Sequence, residues 1–246
     1  MTVADLNEIM SKAAQLIASR AEKVLCLRDA QLSRAYYYQS LPYCIIDAIF
    51  SLGVRYGQVE KVICTFSKQT DWQIFRRHGA LFPIESDQKI LSDFIRKLDE
   101  HKKEPEVTLF NNRGFANPRS KHERILKAKL AGEFASLLKK KKIETFQDLN
   151  ACKNIVSLNE RLSKLTALQS GIAIHYFHML AGDDNQVKPD RMIVRFIKDA
   201  IRTDESINPD HAVQLIQEAA SMLKKMYPSL TPRLLDHEIW KYQRQK

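Results

Sequence analysis

The chain has 246 residues, 44% of them hydrophobic, which is enough to fill a sizeable core without disulfides or metals. Its 39 Lys and Arg against 29 Asp and Glu leave a formal charge of +10, an excess that favours a polyanionic partner. No apolar run reaches the roughly 18 residues that a membrane span needs, and the first residues read as a mixed polar helix, so a soluble cytoplasmic protein with no membrane partner is expected.

Cys26, Cys44, Cys64 and Cys152 are far apart and form no metal-ligand pattern. Cys44 and Cys64 fall within apolar helical patterns and are expected to be buried thiols in a reducing compartment. Seven glycines, eight prolines and few alternating β-branched residues point to an all-α fold.

In chain order, Leu6, Ile9, Met10, Ala13, Leu16 and Ile17 have the spacing of an amphipathic helix. The cluster Tyr36, Tyr37 and Tyr38 either lines a pocket or DNA-facing groove, or packs between domains. Ser40 and Pro42 open a second helix, apolar over most of its circumference, whose buried Asp47 needs a hydrogen-bonding partner. The turn at Ser51 to Gly53 leads to a third helix carrying Val59, Val62, Ile63 and Phe66. A short helix is expected over Trp72 to His78, and another bears Leu91, Phe94, Ile95 and Leu98. The irregular stretch from His101 to Lys121 places Arg113, Arg119 and Lys121 around Phe115. Such a set can reach a sugar-phosphate chain and wedge a base step.

A helix with Leu126, Leu130, Phe134, Leu137 and Leu138 ends in Lys139 to Lys142. Thr145 to Leu149 reads as a turn into a helix near Leu158, Leu162 and Leu165. Residues Leu162 to Leu180 read as two helices joined by a tight turn at Gly171, where the N–H groups of the second helix can attract a phosphate. Asp190 follows Pro189 and stands at the N-cap of the next helix, whose core face is Ile193, Phe196, Ile197, Ala200 and Ile201. A carboxylate there is favoured in its charged form by the helix dipole. Held beside a sugar, it can stabilise oxocarbenium character and orient a water. Asn208–Pro209 and Thr231–Pro232 open the last two helices.

Gly171, followed nineteen residues later by Asp190 and five further by Arg195, resembles the helix-hairpin-helix and catalytic-aspartate signature of the DNA glycosylase superfamily typified by endonuclease III. Pro189 to Arg195 is similar to that family's V-D-T-H-x-x-R segment. The likeness extends from about Leu41 to Tyr242 and takes in the early helix-turn-helix with Ser51, the loop Pro118 to Lys121, and the closing segment Leu235 to Trp240. The resemblance implies two helical lobes, 40–183 with the hairpin and 1–39 with 184–246, meeting at a catalytic cleft. It implies DNA as the partner of a monomer, Asp190 as the catalytic carboxylate, and Ser170, Gly171, Ile172 and Ala173 as the phosphate anchor. Tyr37, Tyr38 and Tyr43 become candidates for stacking on a flipped base, with Ser51 and His175 near it.

The departures refine the expected chemistry. The family hairpin reads L-P-G-V-G-x-K, whereas this chain has Ala167-Leu168-Gln169-Ser170-Gly171-Ile172-Ala173. Ala173 stands where bifunctional members carry a nucleophilic lysine, which implies base removal without strand cleavage. No cysteine follows Cys152, so no iron-sulfur cluster and no other cofactor is expected. Gly53 stands where relatives insert a Gln into the duplex. His175 and His178 share a helix face but lack a third ligand nearby in sequence, so no metal is expected. A non-catalytic DNA-binding module of the same fold remains the alternative, and a helical protein-interaction scaffold a third.

Overall fold

Helical spacing becomes an all-α fold in the structure, a computed structural model that describes residues 3–117 and 124–246. Twelve α-helices lie among those residues: α1 (Val3–Val24), α2 (Leu41–Phe50), α3 (Tyr56–Thr70), α4 (Leu91–Glu100), α5 (Pro105–Thr108), α6 (Lys127–Lys140), α7 (Phe146–Asn150), α8 (Ile155–Leu162), α9 (Ile172–Leu180), α10 (Arg191–Ile201), α11 (Pro209–Leu223) and α12 (Pro232–Arg244). A single small sheet among the described residues pairs β1 (Phe115–Ala116) antiparallel with β2 (Ile125–Leu126), Phe115 opposite Leu126. No helix among the described residues is long and apolar enough to cross a membrane.

The chain divides into two compact units. One is Arg34–Ala181; the other joins the segment ending at Ser33 to Gly182–Lys246. The boundaries expected at 39/40 and 183/184 thus fall at 33/34 and 181/182.

Unit 34–181 is built on α2, whose ten residues are all buried. Pro42 suits the first turn because its missing N–H has no intrahelical partner there anyway. The helix packs against α3, α4, α6 and α9. Its C-terminal end is closed by the ammonium of buried Lys127, which donates to the carbonyls of Phe50 (3.0 Å) and Leu52 (2.6 Å). Asp47 finds the structural hydrogen bond that its burial demands: its Oδ2 accepts from the hydroxyls of Tyr38 at 2.8 Å, Tyr176 at 3.3 Å and Tyr56 at 3.5 Å.

Several local expectations are corrected. Residues 72–78 are extended, not helical: Phe75 bridges Tyr38, Gln39 N–H donates to Ile74 (2.8 Å) and Arg76 N–H to Tyr37 (2.9 Å). A short apolar run without a cap has taken the pairing that the neighbouring segment offers. Thr145 to Leu149 is not a turn; Thr145 caps α7 in a reciprocal box with Asp148. The irregular stretch after His101 contains one helical turn, α5, and the strand β1. Cys44 is buried but Cys64 is exposed, because Val59, Val62, Ile63 and Phe66 define the inner face of α3 and residue 64 turns away from it.

In the second unit α1 packs on α10 and α11, and α12 on α10 and α11. Its core holds Ala14, Ile17 and Ala21, Phe196 and Ile197, Ala212, Ile216 and Ala219, and Leu235 and Ile239. Small residues on both α1 and α11 let those two helices approach closely.

Candidate functional site

Asp190 is the N-cap of α10, with an extended backbone and a half-buried side chain. Its Oδ1 accepts from the N–H groups of Met192 (2.7 Å) and Ile193 (3.3 Å), so two orphan donors of the first turn are satisfied by one carboxylate oxygen. The approach to it is fixed from behind. Val187 and Pro189 are buried, Asp190 N–H donates to the Lys188 carbonyl at 2.6 Å, and Lys188 N–H donates to Oδ2 of Asp236 at 2.8 Å.

Asp236 lies on α12 and is only 3% exposed. Burial raises its carboxyl well above the usual carboxylate range and the charge of Asp190 adds to this, while the Lys188 N–H and ammonium oppose it. Beside it, burial pushes the His237 imidazole down to about 4, with the Lys241 charge acting in the same direction. Arg195, the last residue of the Gly171–Asp190–Arg195 spacing, faces the end of α12: its Nε donates to Gln243 Oε1 (2.5 Å) and its Nη2 to the Gln243 carbonyl (2.9 Å). Its role is to tie α10 to α12.

The hairpin belongs to the other unit. The link between α8 and α9 runs through nine residues, 163–171, and is a series of turns, with Ala167 and Gly171 both in the left-handed region (φ 69° and 71°). Gly171 is the N-cap of α9, and its carbonyl accepts from Ile174 and His175 N–H. Gln169 and Ser170 are exposed, Gly171, Ile172 and His175 half-buried, and Ala173 buried. The His175 ring lies over Gly171: a Cβ there would meet its Cδ2 at 3.6 Å. His178 is a core histidine whose Nε2 hydrogen-bonds Asn159 at 2.7 Å.

Other expected contacts fare differently. Tyr38 and Tyr43 are fully buried and cannot receive a base, which corrects that expectation. Tyr38 stacks between Tyr43 and Phe75, while the Tyr43 hydroxyl donates to the Trp72 carbonyl. Tyr37 is half-buried against His78, ring centroids 4.5 Å apart. The Ser51 hydroxyl donates to the Ala48 carbonyl at 3.0 Å. Arg113 is exposed and paired with Glu104 at 3.2 Å. The Phe115 ring is covered by the Arg124 guanidinium, 3.9 Å from its centroid, so it is not poised as a wedge. Arg119 and Lys121 lie outside the described residues.

A family model described as a domain of unknown function (DUF8548) matches residues 15–244. The chain belongs to that family. No curated protein and no solved structure matches it.

Within this DUF8548 chain the helix-capping carboxylate of Asp190 and the buried carboxyl of Asp236 lie close enough for the charge of one to act on the other. Asp236 was visible only as part of the closing segment. Every residue from Leu234 to Ile239 is buried, so no periodicity in the sequence singles it out. A groove of about 1130 Å³ also runs over α6 beside α4 and α8, and none of the expected site residues lines it.

Proposed function

We propose that this chain is a monofunctional DNA N-glycosylase acting as a cytoplasmic monomer. It extrudes a damaged, mismatched or modified base and hydrolyses the bond between that base and C1′, leaving an abasic site. The bond's electron pair leaves with the base, a water oxygen bonds to C1′, and the proton released by the water passes to the carboxylate or the departing base. A hypermodified base of phage DNA belongs to this substrate class, and its removal would serve antiviral defence.

The observation that carries this reading is the environment of Asp190. Its carboxylate sits at a helix N-terminus, where the dipole and two N–H donors favour negative charge, and both hydrogen bonds use Oδ1. Among the described residues, Oδ2 is engaged by none, which suits it to face a water or a positively charged sugar. Ala173, buried at the start of α9, supplies no amine for a Schiff base, which supports hydrolysis over strand cleavage.

Asp190→Asn tests the reading cleanly, because Asn caps a helix about as well as Asp. The variant is expected to bind DNA with unchanged affinity, while formation of alkali-labile sites falls roughly 10²-fold or more. Unchanged base release would remove Asp190 from the mechanism. A second reading, a DNA-binding module without turnover, is favoured by one observation: the bonds of Asp190 are those of any N-cap carboxylate. Salt-sensitive DNA binding with no base released from genomic or phage DNA would support it.

A further inference from the structure

The Lys188 peptide joins two carboxyl groups. Its N–H donates to Oδ2 of Asp236 at 2.8 Å, and its carbonyl accepts the N–H of Asp190 at 2.6 Å. We propose that Asp236 is the positioning residue for Asp190: it anchors through Lys188 the turn that presents the carboxylate, and it does so as a neutral acid, so that Asp190 alone carries charge there. The proposal rests on the glycosylase reading for its catalytic consequence, but the paired geometry stands without it.

The partition of charge follows from the surroundings of each group. Asp190 stands at a helix N-terminus, only half-buried, and accepts two N–H bonds there. Asp236 is 3% exposed in the body of α12, a burial that favours the acid and that the N–H bond from Lys188 opposes. Two nearby carboxyl groups resist ionising together, so the better-solvated, better-bonded one holds the charge.

The charged groups that reach Asp236 are Asp190, at the head of α10, and Lys188, in the segment before it. On α10 itself, Arg195 is engaged by Gln243. From α11 the buried face is wholly apolar, Ala212, Val213, Leu215, Ile216, Ala219, Ala220 and Leu223. On α12, Lys241 pairs with Glu238 and burial holds His237 neutral. Among the described residues, the Lys188 N–H and ammonium are the groups that offset a negative charge on Asp236. A neutral acid still offers its carbonyl oxygen to Lys188 N–H, so anchoring requires no charge.

The test uses the full chain and two readouts. First, carboxyl ¹³C shifts are followed through a pH titration. Asp236 is expected to titrate above the ordinary carboxylate range in the wild type, and to move down toward it in Asp190→Asn. An Asp236 that titrates in the ordinary range, or is indifferent to Asp190→Asn, overturns the proposal. Second, single-turnover base release is measured. Asp236→Ala is expected to lose about tenfold or more with DNA affinity unchanged, whereas Asp236→Asn, which keeps the acceptor, restores most of the loss. In Asp236→Asn the acid limb of the pH–rate profile is expected to coincide with that of the wild type. A limb moved to lower pH would mean that Asp236 is ionised in the working enzyme, and would overturn the proposal. If the wild type releases no base from any DNA, the glycosylase reading falls. The titration then still decides the pairing of Asp190 with Asp236.

Discussion

Lys127 shows how one residue can carry opposed electrostatic effects. The residue is 2% exposed, and its ammonium closes the C-terminal end of α2 by bonds to the carbonyls of Phe50 and Leu52, a contact that the helix dipole favours. Burial nevertheless pushes its titration down from 10.5 to about 8. The sign follows from linkage. Between pH 8 and 10.5 the unfolded chain holds a proton that the folded chain has released, so the penalty for burying the charge is complete below 8 and is relieved as pH rises through that window. Lys127→Met is therefore expected to cost about 1–3 kcal/mol at neutral pH by leaving two carbonyls without their donor. The stability gap between wild type and variant should widen from pH 8 to 10.5, as urea melts across that range would measure. A constant gap would mean that Lys127 titrates normally. The same scale explains the fate of the tyrosines. The sequence left a pocket and interdomain packing both open, but in Tyr38 the hydroxyl is used by Asp47 and both ring faces by other aromatics, a partnership that no spacing in the sequence encodes.

The link between α8 and α9 bends through two left-handed residues of opposite suitability. Gly171 adopts φ 71° without a Cβ, whereas Ala167 holds φ 69° with one. A left-handed residue other than glycine costs roughly 1–2 kcal/mol, offset in glycine by about 0.5–1 kcal/mol of extra unfolded-state entropy. Ala167→Gly is thus expected to stabilise the chain by about 0.5–1 kcal/mol, and Gly171→Ala to destabilise it by about 1 kcal/mol. Space does not decide the second, because an added Cβ meets the His175 ring at an ordinary 3.6 Å. Opposite shifts of the denaturation midpoint at unchanged slope would confirm both; equal signs would refute the backbone argument. At this scale most of the fold was legible. The long helices α1, α3, α6, α10 and α11 follow apolar spacing, the last two with the capping residues Asp190 and Asn208 at their heads, and Asp190 was found because an N-cap is a local pattern. The segment 72–78 was misread because its conformation is fixed by Tyr37 and Gln39, more than thirty residues earlier. The hairpin was foreseen as a corner at one glycine, but Ala167 shares the bend, and nothing in an alanine announces a positive φ.

For the whole molecule the informative quantity is the charge of +10, and its arrangement matters more than its size. Two cations of the stretch around β1 and β2 are already engaged: Arg113 pairs with Glu104, and Arg124 covers Phe115. Others border the groove over α6, where seven cations, among them Lys102, Lys129, Arg161 and Lys164, line its walls together with the four acids Asp99, Glu106, Glu133 and Glu160. A mixed rim of this kind attracts a polyanion more weakly than a uniform stripe, so the proposed binding to DNA should involve few phosphates. Each phosphate neutralised contributes about 0.9 to the slope of log affinity against log salt concentration on duplex DNA, so three or four contacts give a slope of magnitude roughly 3. Binding to a labelled duplex, titrated over a range of salt, is expected to show that slope and to keep it in Asp190→Asn, because the role proposed for that carboxylate is at the sugar and not at a phosphate. A slope near zero would remove DNA as the partner and with it the reading of Asp190 as a glycosylase carboxylate. A slope several times larger would mean that the phosphate-binding face draws on cations beyond those of the hairpin and groove.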